Sequence, residues 1–372
     1  MKNIEKLNIF YHEKLVGNLM LSPNGKTCVF EYSDEWLESG GFSLSPLELP
    51  LRKELFFSSP NEFYGDFAIF EDSMPDGYGL YLLNHMLKSN RLSLSELTVL
   101  QRLGLVGDSG MGALCYRPSI SLGAKDQSTA DFDELQRKAL DLLSEKTDSD
   151  ASLLYYRSGN SGGARPKAVF SDSEGNWIVK FRHVYDPEYL GKNEYLYMLT
   201  AKECGIEIPE VKLINNKYFA AKRFDIENGV RLHVATAAAL MMSDFRSQTS
   251  DYLNLLSLTG YLTQDPLQVE QMFRRMVFNV ISDNKDDHAK NFSFIYREGS
   301  GWSLAPAYDL TYSPKGGIGG ERSTSVMYKG FPKIKDMVEA GQSIRIKESR
   351  CIQIIGEVEE VCRQSLDHCI DI

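Results

Sequence analysis

A set of polar residues in the second half of the chain has the composition of a metal-assisted catalytic site. The stretch DDHAKN runs from Asp286 to Asn291, and FSFIY, a REGSG turn and WSLAP then lead to Asp309. Two strands joined by a turn return the chain to its starting end, so we expect Asn291 and Asp309 to lie close together. Amide and carboxylate oxygens suit Mg²⁺, and Lys290 can stabilise a transferred phosphoryl group. The pattern predicts phosphoryl transfer, with Asp286 as the candidate base.

The spacing within this stretch supports the same interpretation. Asp286 stands five residues before Asn291, which is the interval between base and metal ligand in the D-x-x-x-x-N loop of protein kinases. Asp309 falls where the metal-binding DFG aspartate of those enzymes would lie. A solvated polar loop would explain the composition of the stretch, but it would not explain a third acid at hairpin spacing.

A glycine-rich segment and a strand lysine form a second candidate set. The segment GNSGGARPK runs from Gly159 to Lys167, and glycines let backbone amides approach phosphate oxygens, although a simple hairpin turn has similar composition. Lys180 is the only charged residue of the run WIVKF, where it can neutralise phosphates or face solvent. Glu194, expected in the first turn of the next helix, can pair with Lys180 as in protein kinases, or serve only as a favourable helix-start acid.

The elements that must position these residues are two hairpins followed by helices. KAVF and NWIVKF flank SDSEG, EVKLIN and KYFAAKRF flank Asn216, and an amphipathic stretch lies between the two pairs. In PLQVEQMFRRMVFNVIS the apolar residues recur at helical spacing. We therefore predict an α+β fold with a small β-rich lobe at residues 155–226 and a larger helical lobe at residues 227–372.

The first part of the chain has a different character. Short strands and helices extend from Leu7 to about Pro118 and predict an α+β subdomain over residues 1–122. The polar segment that follows has apolar residues at helical spacing from Phe132 to Leu142, which predicts a connecting helix and linker over residues 123–154.

Composition limits the broad class of protein. No apolar run approaches the length of a membrane span, and residues 1–14 lack the apolar block of a secretory signal, so we expect a cytoplasmic protein without membrane contact. The six cysteines form no CxxC pair and predict reduced thiols. A net charge of −10 argues against broad unaided binding to nucleic acid.

The chain resembles the HipA family of bacterial toxin kinases over nearly its whole length. EDSMPDGYG and LVGDSGMGAL in the first part are similar to that family's amino-terminal subdomain. GGARPK, IVKF, KNEY, KRFD, DDHAKNFS and AYDL then follow in the family's order. The resemblance implies a divergent protein-kinase-like fold with two lobes, preceded by a HipA-type amino-terminal subdomain, and a serine/threonine-protein kinase that uses ATP and Mg²⁺.

The resemblance also implies a role for each matching residue. Asp286 and Lys290 would be catalytic, and Asn291 and Asp309 would hold the metal. The residues that would bind ATP are Gly162, Gly163, Ala164, Arg165, Pro166, Lys167, Lys180, Lys222, Arg223, Phe224, His288 and Tyr308.

The resemblance extends to regulation and partners. Family members phosphorylate a protein serine, with aminoacyl-tRNA synthetases as the known substrate class, and they inactivate themselves by phosphorylating a serine in the phosphate loop. At that position this chain has Asn160, so Ser161 or Ser158 would have to substitute. A small HipB-like helix-turn-helix antitoxin is the expected partner, and DNA would be contacted mainly through it.

Two other functions use the same residues. A small-molecule kinase has a site of related design, and a pseudokinase or corepressor would act through an antitoxin with ATP serving structure at most. Intact Lys180, Asp286, Asn291 and Asp309 weigh against the pseudokinase.

Overall fold

The computed structural model describes residues 3–122, 131–146, 150–158, 162–244 and 250–366. Two compact units are present: Met1–Glu188 with Asp225–Val234, and Tyr189–Phe224 with Ala235–Ile372. These units are defined by spatial packing. The domain boundaries that the sequence predicts at residues 122, 154 and 226 stay predictions.

Helices and strands are numbered in chain order. The strands are β1 (Lys6–Tyr11), β2 (Lys14–Leu21), β3 (Cys28–Tyr32), β4 (Phe56–Phe57), β5 (Leu114–Arg117), β6 (Lys167–Asp172), β7 (Gly175–Lys180), β8 (Val211–Ile214), β9 (Tyr218–Lys222), β10 (Ile226–Glu227), β11 (Val230–Arg231), β12 (His233–Thr236), β13 (Ser250–Asp251), β14 (Ser293–Arg297), β15 (Gly301–Leu304) and β16 (Thr324–Ser325). The helices are α1 (Asp34–Glu38), α2 (Ala68–Glu71), α3 (Gly77–Ser89), α4 (Val99–Val106), α5 (Phe132–Leu143), α6 (Ala151–Ser158), α7 (Leu190–Glu203), α8 (Ala237–Leu240), α9 (Tyr252–Thr263), α10 (Pro266–Ile281), α11 (Ile334–Ser343) and α12 (Glu348–Ser365).

The first unit is built on a five-stranded sheet with the order β4-β3-β2-β1-β5. Leu7, Ile9 and Tyr11 of β1 are buried and alternate with more exposed residues, as expected of a strand with one covered face. Hairpin β6–β7 also belongs to this unit, and the predicted helix over 132–142 is α5, which buries Leu135 and Leu142. Helix α6 was not predicted, because its short sequence carries no clear helical periodicity.

The second unit is mainly helical. Asp265 caps the amino terminus of α10 by accepting a hydrogen bond from the Leu267 N–H, and a proline lies in the first turn of the helix. Its apolar stripe is buried as predicted, at Val269, Met272, Phe273, Met276 and Val280. The hairpins β8–β9 and β14–β15 confirm the two predicted for this part of the chain.

One predicted detail of helix α7 was wrong. The helix begins at Leu190, so Glu194 lies in its second turn and not in its first. The early start packs Gly191 against the β8–β9 turn, where a Cβ atom would stand 2.2 Å from the Lys217 carbonyl oxygen. Polar residues around Glu194 suggested a later start because they resemble a helix amino terminus.

Two expectations from composition can be compared with the structure. Over the described ranges, no helix combines the length and apolar character needed to cross a membrane. The free cysteines are Cys28, Cys115, Cys204, Cys351 and Cys362. Cys369 lies outside the described residues.

Candidate active site

The DDHAKN stretch forms a loop after α10, and Asn291 makes two hydrogen bonds within it. The Asn291 side-chain amide Nδ2 donates to the Asp286 main-chain carbonyl over 2.7 Å. The Asn291 N–H donates to the His288 carbonyl over 2.8 Å, which closes a short 3₁₀ turn. Since Nδ2 is used in this way, Oδ1 is the Asn291 atom that can bind a metal. Asp286 is exposed, as a base that must reach a substrate hydroxyl requires.

Asn291 and Asp309 line the same small cavity in the second unit. Hairpin β14–β15 lies between them in the chain, with Phe294 opposite Leu304 in its register. Asp309 adopts the left-handed conformation, with φ of 54°, which is uncommon outside glycine and concentrates at functional positions. The cavity is lined by Arg275, Asn279, Asn284, Asp287, Asn291, Phe292, Ala307, Tyr308, Asp309 and Leu310.

The oxygen atoms of this cavity fit a magnesium ion. A carboxylate and an amide are hard ligands, and Mg²⁺ commonly completes its shell with waters and phosphate oxygens. Within the described residues, no group of three or more His, Cys, Asp or Glu side chains is placed to hold a metal. The chemistry of the Asn291 and Asp309 side chains fits Mg²⁺, with the other positions of its shell left to further oxygen donors.

Tyr308 connects the two ends of the loop-hairpin segment. Its hydroxyl donates to the Lys290 carbonyl over 2.7 Å, and it is 2.6 Å from the Ser293 Oγ. The Tyr308 ring also lies 5.5 Å from that of Phe224, with 31° between the ring planes. Two residues nominated for ATP binding, Phe224 and Tyr308, are thus in contact within this unit.

Asp287, the second acid of the stretch, is buried and has a structural role. Its Oδ2 accepts hydrogen bonds from the Arg322 Nη2 at 2.9 Å and from the Tyr252 hydroxyl at 2.8 Å, and its Oδ1 accepts one from the Thr324 N–H at 3.1 Å. Burial alone would lower the pKa of Arg322, but the charge and hydrogen bond of Asp287, together with Tyr252 and Asp283, outweigh burial and raise it. Burial, reinforced by the Asp287 charge, raises the pKa of Tyr252. Because its charge is compensated in this way, Asp287 anchors the loop that presents Asp286.

A chain of amides extends this anchor to α10. Asn279 donates to the Tyr252 hydroxyl over 2.9 Å, and Asn284 donates to the Asn279 Oδ1 over 3.0 Å. Arg275 is fully buried and donates to the Ala305 carbonyl over 2.7 Å, just after β15. Burial lowers the pKa of Arg275 to about 10, so the side chain stays charged at neutral pH. These contacts tie the loop that contains Asp286 and the end of the hairpin to one helix.

In the first unit, two lysines face each other across hairpin β6–β7. Lys167 and Lys180 are directly paired in the strand register, so their side chains project from the same face. The Lys167 ammonium, which is largely buried, donates to the Gly162 carbonyl. Gly162, Gly163 and Ala164 are exposed. This pairing gives the glycine-rich segment two adjacent positive charges.

Other nominated residues have contacts that bear on their roles. The Arg165 guanidinium donates to both carboxylate oxygens of Asp186, at 2.9 and 3.2 Å. Burial opposes ionisation of Asp186, but the hydrogen bonds and positive charges of Arg165 and His183 together outweigh burial and lower the pKa of Asp186. Lys222 pairs with Glu210 at 2.8 Å on the surface. Pro166 precedes β6, and its carbonyl accepts from the Phe181 N–H over 2.8 Å.

Fewer contacts define the positions of the other residues predicted to act at the site. Glu194 is buried, but it belongs to a different unit from Lys180, and their pairing stays a prediction. Arg223 lies directly after β9 in the second unit. Ser158, one candidate for self-phosphorylation, is 1% exposed and donates to the Tyr155 carbonyl. Ser161 lies outside the described residues.

The sequence analysis missed Asp287, Arg322 and Tyr252. Asp287 was visible only as a neighbour of Asp286. A loop has no helix or strand periodicity, so the sequence does not distinguish a buried acid from an exposed one there. Arg322 and Tyr252 each lie 35 residues from Asp287. A paired carboxylate in a catalytic loop was the single available signal.

Two family models together cover most of the chain. The family model HipA-like C-terminal domain matches residues 159–366, and the model HipA N-terminal domain matches residues 7–117. The chain therefore belongs to the HipA-like family.

Individual relatives agree with this assignment. The serine/threonine-protein kinase toxin HipA of Shewanella oneidensis is 23% identical over 353 residues, which cover 83% of this chain and 76% of that protein. A Sinorhizobium fredii protein with the provisional kinase name Y4dM is 29% identical over 155 residues, but the match spans only 37% of each chain. A chain of the solved complex of Shewanella oneidensis HipA, HipB and operator DNA has a TM-score of 0.72 and 17% identity, covering 96% of this chain and 89% of that one. This last likeness confirms the predicted fold.

Proposed function

We propose that this chain is an ATP- and magnesium-dependent serine/threonine-protein kinase, the toxin component of a HipBA-like toxin–antitoxin system. The observation that carries the proposal is the arrangement of Asn291, which lines one cavity with Asp309 and is bonded to Asp286. That arrangement supports a site in which two metal ligands would lie near an exposed acid, the parts that phosphoryl transfer requires.

Each catalytic-loop residue would have a defined task. Asp286 would orient the acceptor hydroxyl and take its proton, while Lys290 would stabilise the transferred phosphoryl group. Asn291 and Asp309 would hold Mg²⁺, which when bound neutralises charge on the phosphate oxygens. His288, Tyr308 and Phe224 would contact the nucleotide, and the contact between the Tyr308 and Phe224 rings supports a shared role for them.

The glycine-rich segment would bind phosphates. Gly162 and Gly163 have no side chain to keep phosphate oxygens from the backbone, and Lys167 and Lys180 supply positive charge on one face of their hairpin. Arg165 would act mainly by anchoring the segment, because its guanidinium binds Asp186. Lys222 and Arg223 would complete the adenine side as the family resemblance implies.

The proposed partners follow from the family. A translation factor such as an aminoacyl-tRNA synthetase would be the phosphorylated protein, in the cytoplasm. A HipB-like antitoxin would bind the chain and supply most of the contact with operator DNA; the solved Shewanella oneidensis complex contains HipA, HipB and operator DNA. Self-phosphorylation would fall on Ser161, since Ser158 is buried.

The test is transfer of radiolabelled γ-phosphate by the purified full chain with Mg²⁺, alone and in a cell lysate. Asp286→Asn should reduce transfer by about 10²–10⁴-fold, the usual contribution of a positioned acid or base. Asp265→Asn is the matched control. Asp265 caps α10, so this substitution makes the same change of charge at a position away from the loop. Tight ATP binding without transfer by the wild type would contradict the kinase and favour a pseudokinase.

A further inference from the structure

The glycine-rich segment is held by a second motif of the same unit. The Gly163 N–H donates to the Asp76 carboxylate Oδ1 over 2.5 Å, and the Gly163 carbonyl accepts from the Tyr78 N–H over 3.0 Å. Asp76 and Tyr78 belong to the motif EDSMPDGYG. Asp76 lies 87 residues before Gly163 in the chain. Both main-chain polar groups of Gly163 are therefore engaged by this motif.

The packing between the two segments leaves no room for side chains. A Cβ atom on Gly77 would stand 2.5 Å from the Gly163 carbonyl oxygen and 2.8 Å from the Ala164 Cα. A Cβ atom on Gly162 would stand 3.1 and 3.2 Å from the two Asp76 carboxylate oxygens. Gly77 also has a positive φ of 44°, which favours glycine. The contact is thus a close backbone-to-backbone fit.

The Asp76 side chain is used in an unusual way for its position. Asp76 precedes the first residue of α3, where an aspartate normally accepts hydrogen bonds from its own helix, but its side chain makes no such cap bond. Its carboxylate accepts from Gly163, and the Gly163 carbonyl accepts the Tyr78 N–H in the first turn of α3. The two segments therefore cap each other reciprocally.

This contact conflicts with phosphate binding at the same amide. A glycine-rich loop binds phosphates through backbone N–H groups, and the Gly163 N–H is donated to a carboxylate. A carboxylate next to that amide also repels a triphosphate, since both are anionic. Lys167 is similarly engaged, because its ammonium donates to the Gly162 carbonyl.

Building on the proposed nucleotide binding, we propose that Asp76 opposes that binding by occupying the Gly163 amide, so that a nucleotide phosphate must displace the Asp76 carboxylate. Asp76 is then a positioning residue that holds the Gly163 amide. Displacement would also loosen the contact between Gly163 and the amino terminus of α3, which couples nucleotide binding to the amino-terminal part of the chain.

The experiment compares the binding of ATP and of adenosine by titration calorimetry, using the full chain. Asp76→Ala should bind ATP about tenfold more tightly, as expected from removing one hydrogen bond to a charged group. Asp76→Asn should show a smaller gain, because asparagine keeps an acceptor for Gly163 but loses the charge. Adenosine has no phosphates, so its affinity should stay the same in all variants.

Asp131→Asn is the matched control, because Asp131 caps α5 by accepting from the Glu134 N–H, and its ATP affinity should equal that of the wild type. Unchanged or weaker ATP binding by both Asp76 variants, with adenosine binding intact, would overturn the role of Asp76 while leaving the kinase proposal standing. A wild type that binds neither ligand would overturn the proposed function and this inference together. Asp76→Asn preserves side-chain shape, so it decides the matter if Asp76→Ala does not fold.

Discussion

Arg322 and Asp287 form an ion pair of 2.9 Å in which both side chains are at most 3% exposed. Asp287 directly follows Asp286 in the sequence, and Arg322 also donates to the Asn284 carbonyl over 2.9 Å. One guanidinium therefore holds the chain on both sides of Asp286. Removing one member of such a pair leaves a buried charge without compensation, which is far more costly than losing a surface pair.

Arg322→Met should lower the free energy of unfolding by about 3–5 kcal/mol, as for other broken buried pairs. Urea denaturation followed by circular dichroism measures this loss. Arg363→Met is the control, because Arg363 forms an exposed helical pair with Glu359 and should change stability by only about 0.5 kcal/mol. Adding Asp287→Asn to Arg322→Met should recover part of the loss, since it removes the uncompensated charge. Equal losses for Arg322→Met and Arg363→Met would contradict the anchoring role.

Asp309→Asn should reduce phosphoryl transfer by at least about 100-fold, because the metal would lose its only proposed carboxylate ligand. Asparagine tolerates the left-handed conformation that Asp309 adopts, so the thermal unfolding midpoint should stay near that of the wild type. Transfer rates measured over a range of Mg²⁺ concentrations test this. Turnover like that of the wild type would exclude Asp309 as a metal ligand.

His233 should make the first unit less stable in mild acid. It is fully buried, its Nε2 lies 2.9 Å from the Leu44 carbonyl, and burial lowers its pKa to about 4. The unfolded chain takes up this proton near pH 6.5, so stability is present above that pH and is lost as the pH falls from about 6.5 toward 4, by on the order of 3 kcal/mol. Urea denaturation of His233→Gln should show a flatter pH dependence in this window. An unchanged slope would contradict the prediction.

Glu48 should have the opposite effect. It accepts hydrogen bonds from the Ala68 and Ile69 N–H groups at 2.7 and 3.2 Å, yet burial outweighs them and raises its pKa to about 7. A raised folded-state pKa stabilises the protein below the unfolded value, near 4.5, and that stability is lost as the pH rises through 7. The stability of Glu48→Gln relative to the wild type should therefore increase as the pH rises from about 4.5 to 7, by on the order of 3 kcal/mol. A difference that is constant with pH would contradict this.

Much of the local structure could be predicted from the sequence. The apolar spacing of α10, the turn signals of hairpins β6–β7 and β8–β9, and the hairpin spacing between Asn291 and Asp309 are all short-range patterns. Such patterns follow from the periods of helices and strands, so they need no knowledge of distant partners. The start of α7 and the existence of α6 were not predicted, because packing at Gly191 and weak periodicity decided them.

The sequence by itself determined which residues can do chemistry here: an acid, an amide and a second acid at kinase-like spacing, and a glycine-rich segment with two lysines. Tertiary structure alone decided that Asp286 is exposed while Asp287 pairs with Arg322, and that Asp76 holds Gly163. The physical reason is that burial and hydrogen-bond partners depend on segments far apart in the chain. Residue type and spacing do not reveal those partners.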